Sequence, residues 1–213
     1  MYIELRQKAI IQQLLILVNL QNIKMKTIEP FILASSSPRR KRLLRVAGFN
    51  FSVVESNVIE NLNLKFPPEA IAEHWAREKA KAISEKYPDK LVIGADTIIS
   101  INGIILGKPK DKNDSFKMLK MLSGKTHEVI TGISFVITNS DLDITFNETS
   151  YVSLRNLSDK EINFYINNYN TLDKAGSYGI QSFFSIHILN ITGCFYNIMG
   201  LPLSSLYTHL KSI

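Results

Sequence analysis

The sequence predicts an α/β protein built on a mixed β-sheet flanked by helices. Three observations predict it. Strand-like and helix-like segments alternate through the first half of the chain. Hairpin-connected strand pairs follow. Hydrophobic residues make up 45% of the 213 residues, enough for a real core. A chain of this length fits one domain, or one domain in two lobes.

The elements follow from local chemistry. Phe31 to Ser35 reads as a short buried strand. Ser37-Pro38 then opens a helix, with a serine cap and proline at the first helical position. Leu43, Leu44, Val46 and Ala47 give that helix an apolar side, and Gly48 closes it. Phe51 to Val54 is a second strand. Pro67-Pro68 starts a long helix to about Tyr87, with Ile71, Trp75, Ile83 and Tyr87 at helical spacing. Leu91 to Ile101 is strand-like, and Asn102-Gly103 makes a hairpin turn into Ile104 to Leu106. Lys112 to Leu122 is helical and stops at Ser123-Gly124. Thr126 to Thr138 and Ile144 to Leu154 read as two long strands joined near Asn139 to Asp143. Ser158 and Glu161 form a capping box for a helix to Asn167. Ser185 to Ile191 and Phe195 to Met199 read as strands, and Pro202 to Lys211 as the closing helix.

Charge narrows the function. The net charge is +6, but the segment through Arg45 holds nine Lys/Arg against two acids, and the remainder sixteen against seventeen. A general nucleic-acid binder more often carries a broad basic face. A single cysteine, Cys194, excludes a disulfide framework within the chain and points to a reducing, cytoplasmic compartment. Residues 1–24 read as an N-terminal extension of unknown role, with 25–213 a single domain. Ile10 to Leu20 is apolar but interrupted by Gln12, Gln13 and Asn19, too short to span a bilayer comfortably. No membrane or nucleic-acid partner is expected.

The run Ser35-Ser36-Ser37-Pro38-Arg39-Arg40-Lys41-Arg42 places cations where a helix already carries partial positive charge. A bound polyphosphate would relieve that, with the serine hydroxyls donating to it. A solvated basic face is the alternative. Lys79 stands four residues from both Trp75 and Ile83, beside the apolar stripe, as a cleft lysine or a snorkelling one. Asp96 follows the apolar run 91–95 and could hold Mg²⁺ or activate water, or simply cap a turn. Glu60, after another strand region, could share the metal or orient the water. Lys108 follows the hairpin as a phosphate-binding point charge. Gly107-Lys108-Pro109 is not a Walker A loop, because Pro109 replaces the required Ser or Thr. The four histidines lack zinc-ligand spacing.

Taken in order, several segments resemble the Maf family of nucleotide pyrophosphatases from about Phe31 to Leu210. They are Leu33-Ala34-Ser35-Ser36-Ser37-Pro38-Arg39-Arg40, Ala76-Arg77-Glu78-Lys79-Ala80, Gly94-Ala95-Asp96-Thr97, Leu106-Gly107-Lys108-Pro109 and Leu122-Ser123-Gly124-Lys125-Thr126-His127. Asp173-Lys174-Ala175-Gly176-Ser177-Tyr178-Gly179-Ile180-Gln181 and Gly200-Leu201-Pro202-Leu203 complete the set.

The resemblance implies two lobes about a central cleft, the Maf/ITPase-like architecture. It implies hydrolysis of a nucleoside triphosphate to the monophosphate and pyrophosphate, with Mg²⁺ or Mn²⁺ and Asp96 as general base. Ser35, Arg40, Glu60, Lys79 and Lys108 would surround phosphate and metal. The run ending in Gln181 resembles the branch acting on dTTP and UTP rather than 7-methyl-GTP, with Arg39, Thr97 and Gln181 tied to base selection. Modified pyrimidine nucleotides are further candidate substrates. A homodimer is also implied. Ile59 stands where the family usually has Asp, and Gly193-Cys194-Phe195-Tyr196 replaces a more usual Gly-Ser-Tyr-Tyr type run. The competing reading is a non-enzymatic, nucleotide-binding regulator of cell division or septum formation.

Overall fold

Alternation along the strands assigns their two faces. In a computed structural model describing residues 28–61 and 64–213, Phe31 and Leu33 of strand β1 (Phe31–Leu33) enter one apolar cluster, and Ile32 with the following Ala34 enters another. Successive side chains of a strand point to opposite faces, so both faces of the sheet are covered. The extension expected over 1–24 lies outside the described residues. Among the described residues, no helix is long and apolar enough to cross a membrane.

Seven strands form one mixed sheet. β2 (Phe51–Val53) and β3 (Val92–Ile101) flank β1 in parallel. β3 then pairs antiparallel with β4 (Ile104–Leu106) and β5 (Thr126–Ile137). β6 (Leu142–Leu154) and β7 (Ile188–Thr192) continue the antiparallel side, giving the order β2-β1-β3-β5-β6-β7. The β3–β4 turn has Asn102 and Gly103 both at positive φ, as a two-residue hairpin of this twist requires.

Helix α1 (Pro38–Val46) begins with Ser37 accepting from the Arg40 backbone N–H, with proline in its first turn. Helix α2 (Pro68–Ser84) lies across β3, β5 and β6 and buries Ile71, Ala72, Trp75, Ala76, Ala80 and Ile83. Two glycines admit it. A Cβ on Gly94 would collide with the backbone of Ala76 and Ala80, and one on Gly132 with the backbone of Ala72. The helix therefore rests nearly on the sheet backbone.

Helices α3 (Lys112–Leu122), α4 (Asp159–Asn168) and α6 (Leu203–Ser212) contribute to the main cluster on the other face through Leu119, Leu122, Ile162, Tyr165, Leu206 and Leu210. The capping box expected at Ser158 and Glu161 is present.

Two elements differ from expectation. Phe195–Ile198 is a short helix, α5, rather than a strand. Asn197 decides this locally: its side-chain amide is drawn inward to Val129 O and Ser150 Oγ, both at 2.9 Å. Ser185–His187 belongs to a 3₁₀ turn (Phe183–His187), and strand pairing begins only at Ile188. Short apolar runs cannot be sorted between strand and helix by periodicity alone.

Candidate active site

The parallel strands set the site. β1 ends at Leu33 opposite Ile93, and β3 runs on past it. Asp96 thus lies in mid-strand, beyond the end of its parallel neighbour. The segments leaving β1 and β2 open into the same space, the crevice beyond the carboxyl ends of parallel strands where ligands bind in open α/β sheets.

A cleft of about 800 Å³ occupies that crevice. Ser35, Arg39, Arg40, Glu60, Lys79, Asp96, Thr97, Lys108 and Gln181 all line it. These nine share one cleft, whereas Lys41 and Arg42 of the same basic run do not line it.

At the floor, Lys79 Nζ lies 2.7 Å from Asp96 Oδ1 and 2.5 Å from Glu60 Oε1. The close seating of α2 makes this reach feasible, since Gly132, one of the glycines that admits the helix, stands opposite Asp96 on β5. Lys79 and Asp96 side chains are 9% and 6% exposed, whereas that of Glu60 is 33% exposed. Lys79 is therefore a buried cleft lysine and not a snorkelling one. Asp96 Oδ2 is buried with no hydrogen-bond partner among the described residues. A buried carboxylate oxygen left open in this way marks a place for a proton, a water or a cation.

Arg40 forms the wall. Its Nη1 donates to Ser35 Oγ (3.1 Å), its Nη2 to Thr97 Oγ1 (2.9 Å) and its Nε to the Gly200 carbonyl (2.8 Å). Burial pulls the guanidinium below its ordinary pKa, against the opposing charges of Asp96 and Glu60. It nevertheless stays charged at neutral pH, as guanidinium groups do.

At the rim, Arg39 donates from Nη1 to Asp173 Oδ2 (3.0 Å) and from Nη2 to the Asp173 carbonyl (3.1 Å). Lys174 bonds the other Asp173 oxygen at 2.5 Å. Burial would raise the Asp173 pKa, but Lys174 and Arg39 outweigh it and hold it below the ordinary range. Lys108 and Gln181 are exposed at the mouth. In the segment after β2, sequence reasoning found Glu60 but missed Glu55 and Asn57, which also line the cleft. Asn57 has φ of 52°, a conformation asparagine tolerates better than most residues. Ile59, in the position usually acidic, is 89% exposed.

The oxygen set fits a hard divalent cation. No group of three or more His, Cys, Asp or Glu gathers among the described residues. Mg²⁺ does not need one, because it binds through one or two carboxylates, water and substrate phosphate oxygens. Asp96 and Glu60, both within reach of Lys79 at the cleft floor, are the pair of carboxylates that could serve such an ion.

Fold and site together define an α/β protein with a cation-lined cleft, suited to a polyphosphate and holding one uncommitted carboxylate oxygen at its floor. Sequence comparison gives the family. The Maf-like protein family model matches residues 30–213, so the chain belongs to the Maf family. It is 44% identical over 180 residues to a dTTP/UTP pyrophosphatase of Bacillus anthracis, covering 84% of this chain and 93% of that protein. It is likewise 44% identical over 186 residues to a dTTP/UTP pyrophosphatase of Bacillus cereus, covering 87% and 91%. Among solved structures, the Staphylococcus aureus Ham1 protein matches 59% of this chain and 72% of its own, at 16% identity and a TM-score of 0.39. Membership of the family rests on the sequence matches alone.

Proposed function

We propose that this protein hydrolyses dTTP and UTP, and modified pyrimidine nucleotides of the same base edge, to the monophosphate and pyrophosphate in the cytoplasm. The observation that carries the proposal is Asp96: a buried carboxylate with one oxygen held by Lys79 and the other free, at the floor of a cation-lined cleft.

Water attacks the α-phosphorus, its oxygen bonds there, and the bond from that phosphorus to the bridging oxygen breaks. Asp96 Oδ2 accepts the proton of the water, and pyrophosphate leaves with the bonding pair. Lys79 holds Asp96 Oδ1 and so fixes the direction of Oδ2. Lys108 at the mouth offsets charge that grows on the departing pyrophosphate. Ser35, Arg40 and the start of α1 form the wall that faces the triphosphate. Arg39, Thr97 and Gln181 face the base, and the amide of Gln181 can pair with both a donor and an acceptor on a pyrimidine edge. A Mg²⁺ or Mn²⁺ ion held by Asp96 and Glu60 would supply Lewis-acid stabilisation of phosphate oxygens.

No observation favours the regulatory alternative, and the similar Bacillus proteins are dTTP/UTP pyrophosphatases. The test is pyrophosphate release from dTTP, UTP, CTP, ATP, GTP and 7-methyl-GTP, with Mg²⁺, with Mn²⁺ and with excess chelator. The proposal requires strong turnover of dTTP and UTP that chelation abolishes. Folded protein inert toward every nucleotide with either metal would refute it.

A further inference from the structure

Behind Thr97 runs a buried hydrogen-bond chain whose direction can be worked out. Thr131 on β5 is fully buried, and its Oγ1 lies 3.1 Å from the Asn197 carbonyl. A carbonyl only accepts, so the single hydroxyl proton of Thr131 is spent on Asn197. The second contact of Thr131 is Thr97 Oγ1 at 2.9 Å. Thr131 has no proton left for it and must accept there, so Thr97 donates. Thr97 Oγ1 in turn accepts from Arg40 Nη2. Its own proton is thereby committed inward, and one lone pair remains. Thr97 lines the cleft, and Gly200 keeps that side open, since a Cβ there would stand 3.3 Å from Thr97 Oγ1.

The far end of the chain is anchored. Asn197 is fully buried, and its amide donates to Val129 O and Ser150 Oγ. Ser150 Oγ also accepts from the Cys194 backbone N–H at 2.9 Å. The Asn197 carbonyl thus has a fixed position, and so does the proton of Thr131.

We infer that Thr131 is a specificity-positioning residue: it makes Thr97 an acceptor-only surface of the cleft, selecting a nucleobase that presents an N–H there and rejecting one that presents a lone pair. The inference rests on the proposed pyrophosphatase activity and deepens it. Uracil and thymine share an imide N3–H. Cytosine has an unprotonated N3 at the same place, which would meet the Thr97 lone pair with no proton between them. An unmatched buried acceptor pair is disfavoured more strongly than a matched pair is favoured. Among the donors that UTP, dTTP and CTP all share, a sugar hydroxyl is the alternative.

The experiment compares kcat and KM for UTP, dTTP and CTP in the wild type and in Thr131→Val, Thr131→Ala and Thr131→Ser. Valine preserves shape and removes the hydroxyl, alanine removes it with less bulk, and serine retains it. Loss of the Thr131 hydroxyl frees the Thr97 proton to turn toward the cleft. The expected result is a fall of about tenfold or more in the UTP-over-CTP ratio of kcat/KM in the valine and alanine variants. The fall arises chiefly through a lower KM for CTP, and serine restores the wild-type ratio. An unchanged ratio, or an equal shift for all three nucleotides, would overturn the inference and leave the pyrophosphatase reading standing; the equal shift would place a sugar hydroxyl, or a purely structural role, at Thr97. Absence of any turnover by wild-type protein would overturn the activity and this inference with it.

Discussion

Lys79 and Asp96 form an ion pair of 2.7 Å with both side chains more than nine-tenths buried, joining helix α2 to the centre of strand β3. Removing one partner of such a pair leaves the other charge uncompensated in the interior. Lys79→Met is expected to destabilise the fold by about 3–5 kcal/mol. Urea unfolding monitored by far-UV circular dichroism checks this. A lowered midpoint with an unchanged slope is the expected outcome, and an unchanged midpoint would mean that Glu60, Asp96 and solvent rearrange to absorb the loss.

Gly132 lets α2 seat against the sheet, and a Cβ added there would run into the backbone of Ala72. Gly132→Ala should therefore cost about 1–3 kcal/mol through overpacking. It should also reduce turnover, because lifting α2 withdraws Lys79 from Asp96. A thermal melt and a pyrophosphate assay on one preparation test both halves. A variant that melts like wild type would show that the helix is not in contact at this glycine.

His127 is buried against Tyr178, its Nε2 lying 2.6 Å from the phenolic oxygen. Burial pushes its pKa down to about 4 from an ordinary 6.5. The unfolded chain therefore binds a proton at higher pH than the folded one. Stability that is complete above pH 6.5 is lost as the pH falls toward 4, by about 3 kcal/mol from this group. The measurement is urea stability at pH 7 and pH 4.5 for wild type and His127→Gln, with the variant expected to lose less. A His127 ring titration near 6.5 in the NMR spectrum would contradict it.

The scaffold was legible where chemistry is local. Ser37-Pro38, Asn102-Gly103 and the Ser158–Glu161 box each fix an element by their own hydrogen bonds or backbone angles, and each is present. Leu43, Leu44, Ile71 and Ile83 declared the buried faces of their helices. The nine candidate residues were legible as a set, and all line one cleft. What was hidden is long-range. Nothing near Arg40 in sequence indicates that Thr97 and Gly200, 57 and 160 residues away, accept its hydrogen bonds. Nothing near Phe195 indicates that Asn197 will be drawn inward and turn an apolar run into a helix. The open oxygen of Asp96 depends on Lys79, which arrives from a separate element seated by two glycines.

The most direct test of the central claim is single-turnover pyrophosphate release from dTTP by Asp96→Asn beside wild type, with nucleotide affinity measured in parallel. The substitution keeps the size of the side chain and removes the proton acceptor. The account predicts a fall in the rate of release of at least about a hundredfold, the low end for loss of a general base, with nucleotide binding still measurable. A variant that releases pyrophosphate at the wild-type rate would contradict it and move the base elsewhere in the cleft.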